Sequence, residues 1–183
     1  MNAVIGLTGY SGAGKGSFYD SIRDYNIPRI ITGDITREEV KKRGYALNAK
    51  NLAVVANSIA KKYGSYMNFI KKNVQDILVK HDLLVIDCLK QWSDYPALLN
   101  YCSNVILVAI DAGMINRYER MNERRRGGDP ASLKAFLKLD ENETLRGVGE
   151  LVSLSDCVIS NNGTKEDLRN KSVKFLESII CSF

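Results

Sequence analysis

Residues 9–17 read Gly-Tyr-Ser-Gly-Ala-Gly-Lys-Gly-Ser and stand between the β-branched run Ala3–Thr8 and a helical pattern. No other stretch restricts the fold as tightly. Glycines at 9, 12 and 14 let the backbone turn sharply enough for successive N–H groups to surround an anion. A helix beginning at the end of such a turn aims its positive end at the same anion. A lysine there, Lys15, supplies a point charge suited to the β- and γ-phosphates of a nucleotide. Gly9, Tyr10, Ser11, Gly12, Ala13, Gly14, Lys15, Gly16 and Ser17 are therefore expected to cradle phosphate. A glycine-rich turn with an incidental lysine is the plain alternative.

The remainder of the chain alternates in the same way. β-Branched runs recur at Arg29–Ile31, Leu83–Ile86, Asn104–Ile110 and Cys157–Ser160, with helical patterns between them. Tyr66, Met67, Phe69, Ile70, Val74, Ile77 and Leu78 recur at three-and-four spacing, the period of one helix face. Strands alternating with helices predict an α/β fold, a five-stranded parallel sheet covered on both faces. At 183 residues and 45 % hydrophobic, with neither repeat nor linker, the chain is expected to form one domain over 1–183. A charged share of 26 % and only three prolines exclude disordered and collagenous classes.

The longest apolar stretch, around Val105 to Ile110, falls far short of the roughly 20 residues of a membrane helix. The opening Ala3-Val4-Ile5-Gly6-Leu7 shows no basic leader and no cleavage site, so a soluble, cytoplasmic protein without a membrane partner is expected. Cys88, Cys102, Cys157 and Cys181 lack the short paired spacing of a zinc site and read as small buried hydrophobes. A net charge of +5 and a pI near 9.0 imply an anionic partner, either nucleic acid or a phosphorylated small molecule.

Three further segments carry candidate chemistry. Thr32-Gly33-Asp34-Ile35-Thr36-Arg37 follows the second run, and the planar fork of Arg37 matches phosphate oxygens. A turn with a helix cap also explains Thr32 to Asp34. Leu83-Leu84-Val85-Ile86-Asp87 is an apolar strand ending in an acid, placed to orient a magnesium ion or its waters, or to cap the next helix. Arg117, Arg120 and Arg124 belong to a run ending at Arg126, with Gly127-Gly128-Asp129-Pro130 as a mobile turn. Tyr118 and Met121 form its core stripe, which spreads the arginines over the remaining surface. A nucleic-acid patch competes there, but Glu119 and Glu123 interrupt it and no aromatic platform accompanies it.

Taken in order, these segments resemble the adenylate kinases. Lys15-Gly16-Ser17 is similar to their Gly-Lys-Gly-Thr ending, and Thr32 to Arg37 to their Thr-Gly-Asp-x-x-Arg. Asn161-Asn162-Gly163-Thr164 resembles the Asn-x-Gly-[ST] turn of dephospho-coenzyme A kinases and nucleoside monophosphate kinases. The closest likeness is to archaeal adenylate-kinase-related proteins, through Gly33-Asp34, Arg37-Glu38-Glu39, Lys41-Lys42-Arg43-Gly44 and Gly147-Val148-Gly149-Glu150. Those relatives carry arginine near Leu139 and Asn142, where this chain has none.

The resemblance implies ATP and Mg2+ as cofactors and a nucleotide-like acceptor. It implies that Lys15 and Asp87 are catalytic, Asp87 holding the metal through water, and that Ser17 contacts an inner phosphate or adds a metal ligand. Thr32, Asp34 and Arg37 would bind the acceptor monophosphate within an acceptor segment at about 32–81. Lys90 would stand where related kinases place an arginine. Arg117, Arg120 and Arg124 would act from a lid at about 117–146, and Asn161 and Gly163 would pack against the base. The implied reaction moves the γ-phosphoryl of ATP to an AMP-like monophosphate, with the 3′-hydroxyl of dephospho-coenzyme A as second choice. From other classes, an ATP/AMP-binding module with little turnover and a nucleic-acid-associated ATPase also fit, nucleic acid being the less favoured partner. Nothing in the sequence fixes the oligomeric state.

Overall fold

The computed structural model describes residues 2–125 and 129–181. Its five strands are β1 Ala3–Thr8, β2 Arg29–Ile31, β3 Leu83–Asp87, β4 Asn104–Asp111 and β5 Cys157–Ser160. They form one sheet in the order β2-β3-β1-β4-β5, with every neighbouring pair parallel. All five lie where the sequence predicts them, β3 and β4 each running one residue further, to Asp87 and Asp111.

Parallel neighbours need crossovers, and helices supply them. Helix α1 (Lys15–Ser21) joins β1 to β2; α2 (Thr32–Lys42), α3 (Ala49–Tyr63) and α4 (Tyr66–Leu78) lead to β3. Helix α5 (Asp94–Leu99) leads to β4, and α6 (Met114–Arg124), α7 (Leu133–Leu145) and α8 (Val148–Ser153) lead to β5. Helix α9 (Lys165–Ile180) closes the chain. It starts in a full capping box, Thr164 accepting from the Asp167 N–H while the Asp167 carboxylate accepts from the Thr164 N–H.

The central runs of β1, β3 and β4 are largely apolar because both faces are covered, whereas β2 carries Arg29 and β5 is half exposed. Every residue of β1 is buried. Alternation splits them: Val4, Leu84, Ile86 and Leu107 face a core shared with Val55, Ile59, Met67, Ile70 and Val74 of α3 and α4. Ile5, Leu7, Val85, Val108 and Ile110 face Phe18 of α1 and Leu168 and Leu176 of α9. A fully buried side chain of this kind contributes about 1.5–3 kcal/mol relative to exposure, so the central strands anchor the edge on which the loops stand. Of the cysteines expected to be buried, only Cys102 is; Cys88 and Cys157 are partly exposed and Cys181 is exposed. Among the described residues no helix is long and apolar enough to cross a membrane.

Candidate functional site

Strand β1 lies between β3 and β4, so the loop leaving it opens beside the carboxyl ends of both. In register, Leu7 stands opposite Asp87 and Thr8 opposite Ala109. The backbone of residues 9–14 then turns through conformations that only glycine tolerates well. A Cβ on Gly9 (φ +130°) would stand 2.3 Å from the Ile110 carbonyl oxygen, and one on Gly14 (φ +107°) 2.2 Å from Asn161 Nδ2. Helix α1 begins after Gly14 without a side-chain cap. Lys15 folds back over the loop, its Nζ donating to the carbonyls of Gly9 at 2.6 Å and Tyr10 at 3.1 Å. Burial depresses its pKa, against the opposing pull of Cys88, and an anion bound in the loop would relieve that cost.

At the end of β3, Asp87 is 7 % exposed and accepts from Arg29 Nη2 through Oδ2. Its Oδ1 is buried without a partner. Thr32 opens α2 next to it, and its hydroxyl faces the carbonyls of Asp87 and Cys88, both at 3.1 Å. That hydroxyl links the acceptor segment to the end of β3. Arg37, one turn on, is exposed and paired with the equally exposed Asp34. Ser17 is exposed on the first turn of α1.

The other side of the loop is a second polar cluster. Glu143 of α7 is 3 % exposed and accepts from the Ser11 N–H and the Ser11 hydroxyl, each at 2.7 Å, and from Lys90. Burial works against its charge, but Lys90 and Ser11 outweigh it and hold its pKa below the usual glutamate value. Burial likewise opposes the Lys90 charge, yet Cys88 and Glu143 prevail and its pKa is raised. Tyr10 Oη and Thr144 Oγ1 are 3.0 Å apart, so α7 and the loop are joined at two successive residues.

Of the three arginines of α6, Arg117 departs from the expected surface spread, while Arg120 is half-buried and Arg124 is exposed as expected. Arg117 is 6 % exposed and turned inward. It forms a bidentate pair with Asp140 at 2.7 and 2.6 Å, donates to the Ser11 carbonyl at 3.3 Å, and lies 5.0 Å from the Tyr10 ring centroid. Asp140 and the rings of Tyr10 and Phe136, the latter centred 5.3 Å away, provide what a buried guanidinium requires, which no feature near Arg117 in sequence discloses. Arg120 donates to the Asn161 carbonyl at 2.8 Å, and its Nη1 is buried and unpartnered. Arg124 is bidentate to Asp129, both contacts at 2.8 Å. Arg126, Gly127 and Gly128, part of the expected arginine run and mobile turn, lie outside the described residues. Asn161 points its side chain beneath the loop rather than outward, donating to the Ala13 carbonyl at 2.7 Å. A Cβ on Gly163 would stand 2.5 Å from Asp167 Oδ2, so that glycine makes room for the α9 cap.

The fold therefore gathers Lys15, Asp87, Lys90, Arg117 and Arg120 around the loop, and leaves Arg37 and Arg124 in exposed pairs. Sequence reasoning missed Arg29, Asp140 and Glu143. A charge inside the short run Arg29–Ile31 was a signal for the first. Asp140 and Glu143, three apart on one helix face, were a weaker signal for the others.

A family profile described as an AAA domain matches residues 8–136. A UPF0200 protein of Pyrococcus horikoshii is 31 % identical over 184 residues, covering 98 % of this chain and 99 % of the relative. One from Methanocaldococcus jannaschii is 28 % identical, covering 97 % of this chain and 90 % of the relative. Among solved structures, the Thermus thermophilus protein TT1252 superposes with a TM-score of 0.65 at 15 % identity, over 100 % of this chain and 98 % of that one. The shikimate kinase of Acinetobacter baumannii, solved with shikimate, gives 0.59 at 14 % identity, over 100 % and 95 %. At these identities the likeness is one of fold, the flanked parallel sheet of phosphate-loop kinases.

Proposed function

This chain belongs to the UPF0200 proteins and to the family of that AAA domain, and from this premise we propose that it is an ATP-dependent phosphotransferase with a nucleotide-like acceptor. The observation that carries the reading is the pairing of two things at the carboxyl edge of adjacent strands. One is a glycine loop closed by the half-buried Lys15; the other is Asp87, with one buried carboxylate oxygen that has no partner among the described residues.

In this reading the backbone of residues 9–17 and Lys15 hold the phosphates of ATP. A magnesium ion would be held through water by Oδ1 of Asp87, a buried hard oxygen with no partner among the described residues. When bound, such an ion neutralises charge on the transferring phosphoryl group. An acceptor monophosphate is favoured over a hydroxyl acceptor. Its attacking oxygen is already anionic, so the γ-phosphorus–oxygen bond forms and the bond to the β-bridging oxygen breaks without a proton to remove. The site residues named above include no histidine, which suits a reaction resting on positioning and charge. Arg37 is the candidate anchor for the acceptor, since its exposed pair with Asp34 exchanges for a phosphate at little cost.

Calorimetric titration of ATP and AMP into the parent and Arg37→Ala tests this. AMP should weaken by about 1.5–3 kcal/mol, the worth of a charged hydrogen bond, while ATP changes little. Equal losses for both ligands would mean a single shared site and end the two-substrate reading. One observation favours a second reading, a nucleotide-binding module with little turnover: Arg117 and Arg124 are each closed in a bidentate pair with an aspartate of the same segment. A screen of acceptors with ATP and Mg2+, reading ADP release, separates the two; tight ATP binding with no productive acceptor supports the module.

A further inference from the structure

Arg29 occupies an unexpected place. It opens β2 opposite Val85, and its guanidinium lies between the end of β3 and the first turns of α1. Nη2 donates to Asp87 Oδ2, and the guanidinium carbon is 4.4 Å from the Tyr19 ring centroid. The same Nη2 lies 3.9 Å from the point where a Cβ on residue 16 would stand. Among the described residues, Nε of Arg29 and Oδ1 of Asp87 are both buried without partners. Buried polar atoms are seldom left open in this way, and here the two belong to one ion pair beside the loop.

The usual ending of such a loop places Ser or Thr directly after the lysine, and its hydroxyl meets the divalent ion. Gly16 removes that hydroxyl, and the space its side chain would enter borders a guanidinium instead. The local charges follow. Lysine and acid alone would leave the floor of the loop neutral without metal. Lys15 and Arg29 set against Asp87 leave it one positive charge.

We propose that Arg29 is the resident cation of the nucleotide site. It fixes Asp87, carries part of the phosphate charge that a divalent ion otherwise carries, and competes with that ion for the Asp87 carboxylate. This rests on the phosphate-loop reading of residues 9–17. It makes metal a weaker partner here than in a loop ending in Lys-Ser or Lys-Thr.

The test is calorimetric titration of ATP into the full chain in excess chelator and again in Mg2+, for the parent, Arg29→Met and Arg29→Lys. The parent should lose only about threefold in affinity without metal, because a charged contact remains in place. Arg29→Met should lose about tenfold or more in chelator and much less in Mg2+, while Arg29→Lys retains metal-free binding. Binding of metal-free ATP by Arg29→Met as tight as the parent's would reduce Arg29 to a strand clip and overturn the proposal. A parent that binds ATP under neither condition would instead overturn the phosphate-loop reading, and this proposal with it.

Arg29→Met removes the partner of a buried carboxylate, so a second variant guards against misfolding. The Gly16 backbone is not left-handed, and a Cβ there meets nothing closer than Arg29 Nη2 at 3.9 Å, so Gly16→Ser should fold. It restores the usual hydroxyl. Mn2+ titrated into its ADP complex and followed by electron paramagnetic resonance should bind about tenfold more tightly than in the parent, the hydroxyl adding a ligand while Arg29 stays in place. Arg29→Met should tighten Mn2+ in the same titration, and unchanged affinity in that variant would overturn the competition between Arg29 and the ion.

Discussion

Two acids flank the loop, one below it at the end of β3 and one above it on α7, and they are bonded to different degrees. Both are buried, Asp87 to 7 % and Glu143 to 3 % exposure, and both meet a cation. Glu143 is fully engaged: one oxygen accepts from the Ser11 N–H, the other from the Ser11 hydroxyl and Lys90. Asp87 spends one oxygen on Arg29 and keeps the other open. Evolution or chance can bury a charge, but a buried charge whose bonds are complete serves the fold, and one left incomplete is available to a ligand. On this comparison Glu143 is the clasp that docks α7 on the loop, and Asp87 is the acid that the proposed phosphotransfer would use.

Removing each acid should therefore fail in a different way. Glu143→Ala leaves Lys90 charged and poorly solvated and strips the Ser11 N–H of its acceptor. Breaking a buried pair from one side costs about 3–5 kcal/mol, and because Lys90 keeps some exposure the lower end is expected. Urea unfolding reads it directly. A loss below about 1 kcal/mol would place Glu143 with ordinary surface pairs and erase the contrast.

Asp87→Asn should do the reverse. The amide oxygen still accepts from Arg29 but no longer balances its charge, so stability should fall by about 1–3 kcal/mol, less than for Glu143→Ala. Phosphoryl transfer should slow by about a hundredfold, since charge acting on the transferring group is worth several kcal/mol. The pair of measurements, unfolding and single-turnover transfer on the same variant, sharpens the comparison. A variant that loses its stability and keeps its rate would exchange the roles of the two acids.

Much of this was legible in the sequence, and the boundary has a physical cause. The five strands, and the loop leaving the first of them, are encoded locally by apolar runs against glycine and helix signals. Arg117 was misplaced because its helix pattern puts it on a polar face, while the partner that draws it inward, Asp140, lies 23 residues away. Glu143 is 132 residues from Ser11, and Arg29 is 58 from Asp87. A charge becomes buried when another charge arrives from elsewhere in the fold, and periodicity carries no record of that arrival. The glycines differ again: Gly14 reads as loop flexibility, yet the structure adds Asn161 Nδ2 lying where its Cβ would be.

The smallest effect is a matter of pH, and it isolates Glu143 without removing a single contact at neutrality. The folded protein holds this carboxyl below its ordinary value of 4.5, against the cost of burial, through Lys90 and Ser11. A depressed folded pKa means that the unfolded chain takes up the proton first as the solution is acidified. The stabilisation is therefore complete above about pH 4.5 and is lost as pH falls through the folded value. Lys90 cannot produce the same limb. Its folded pKa is raised above 10.5, so its contribution is whole at neutral and acid pH and declines only as pH rises through the folded value. Glu143→Gln keeps an acceptor for Ser11 and has no proton to bind. Its stability at pH 7 should lie below the parent's, and the gap should narrow by about 1 kcal/mol on acidification, the worth of the charge in one such hydrogen bond. Urea midpoints for both proteins from pH 7 to pH 3 give the two curves. Parallel curves across that range would mean that Ser11 and Lys90 do not hold this carboxylate, and the docking of α7 on the loop would then fall to Tyr10 with Thr144 and Arg117 with Asp140.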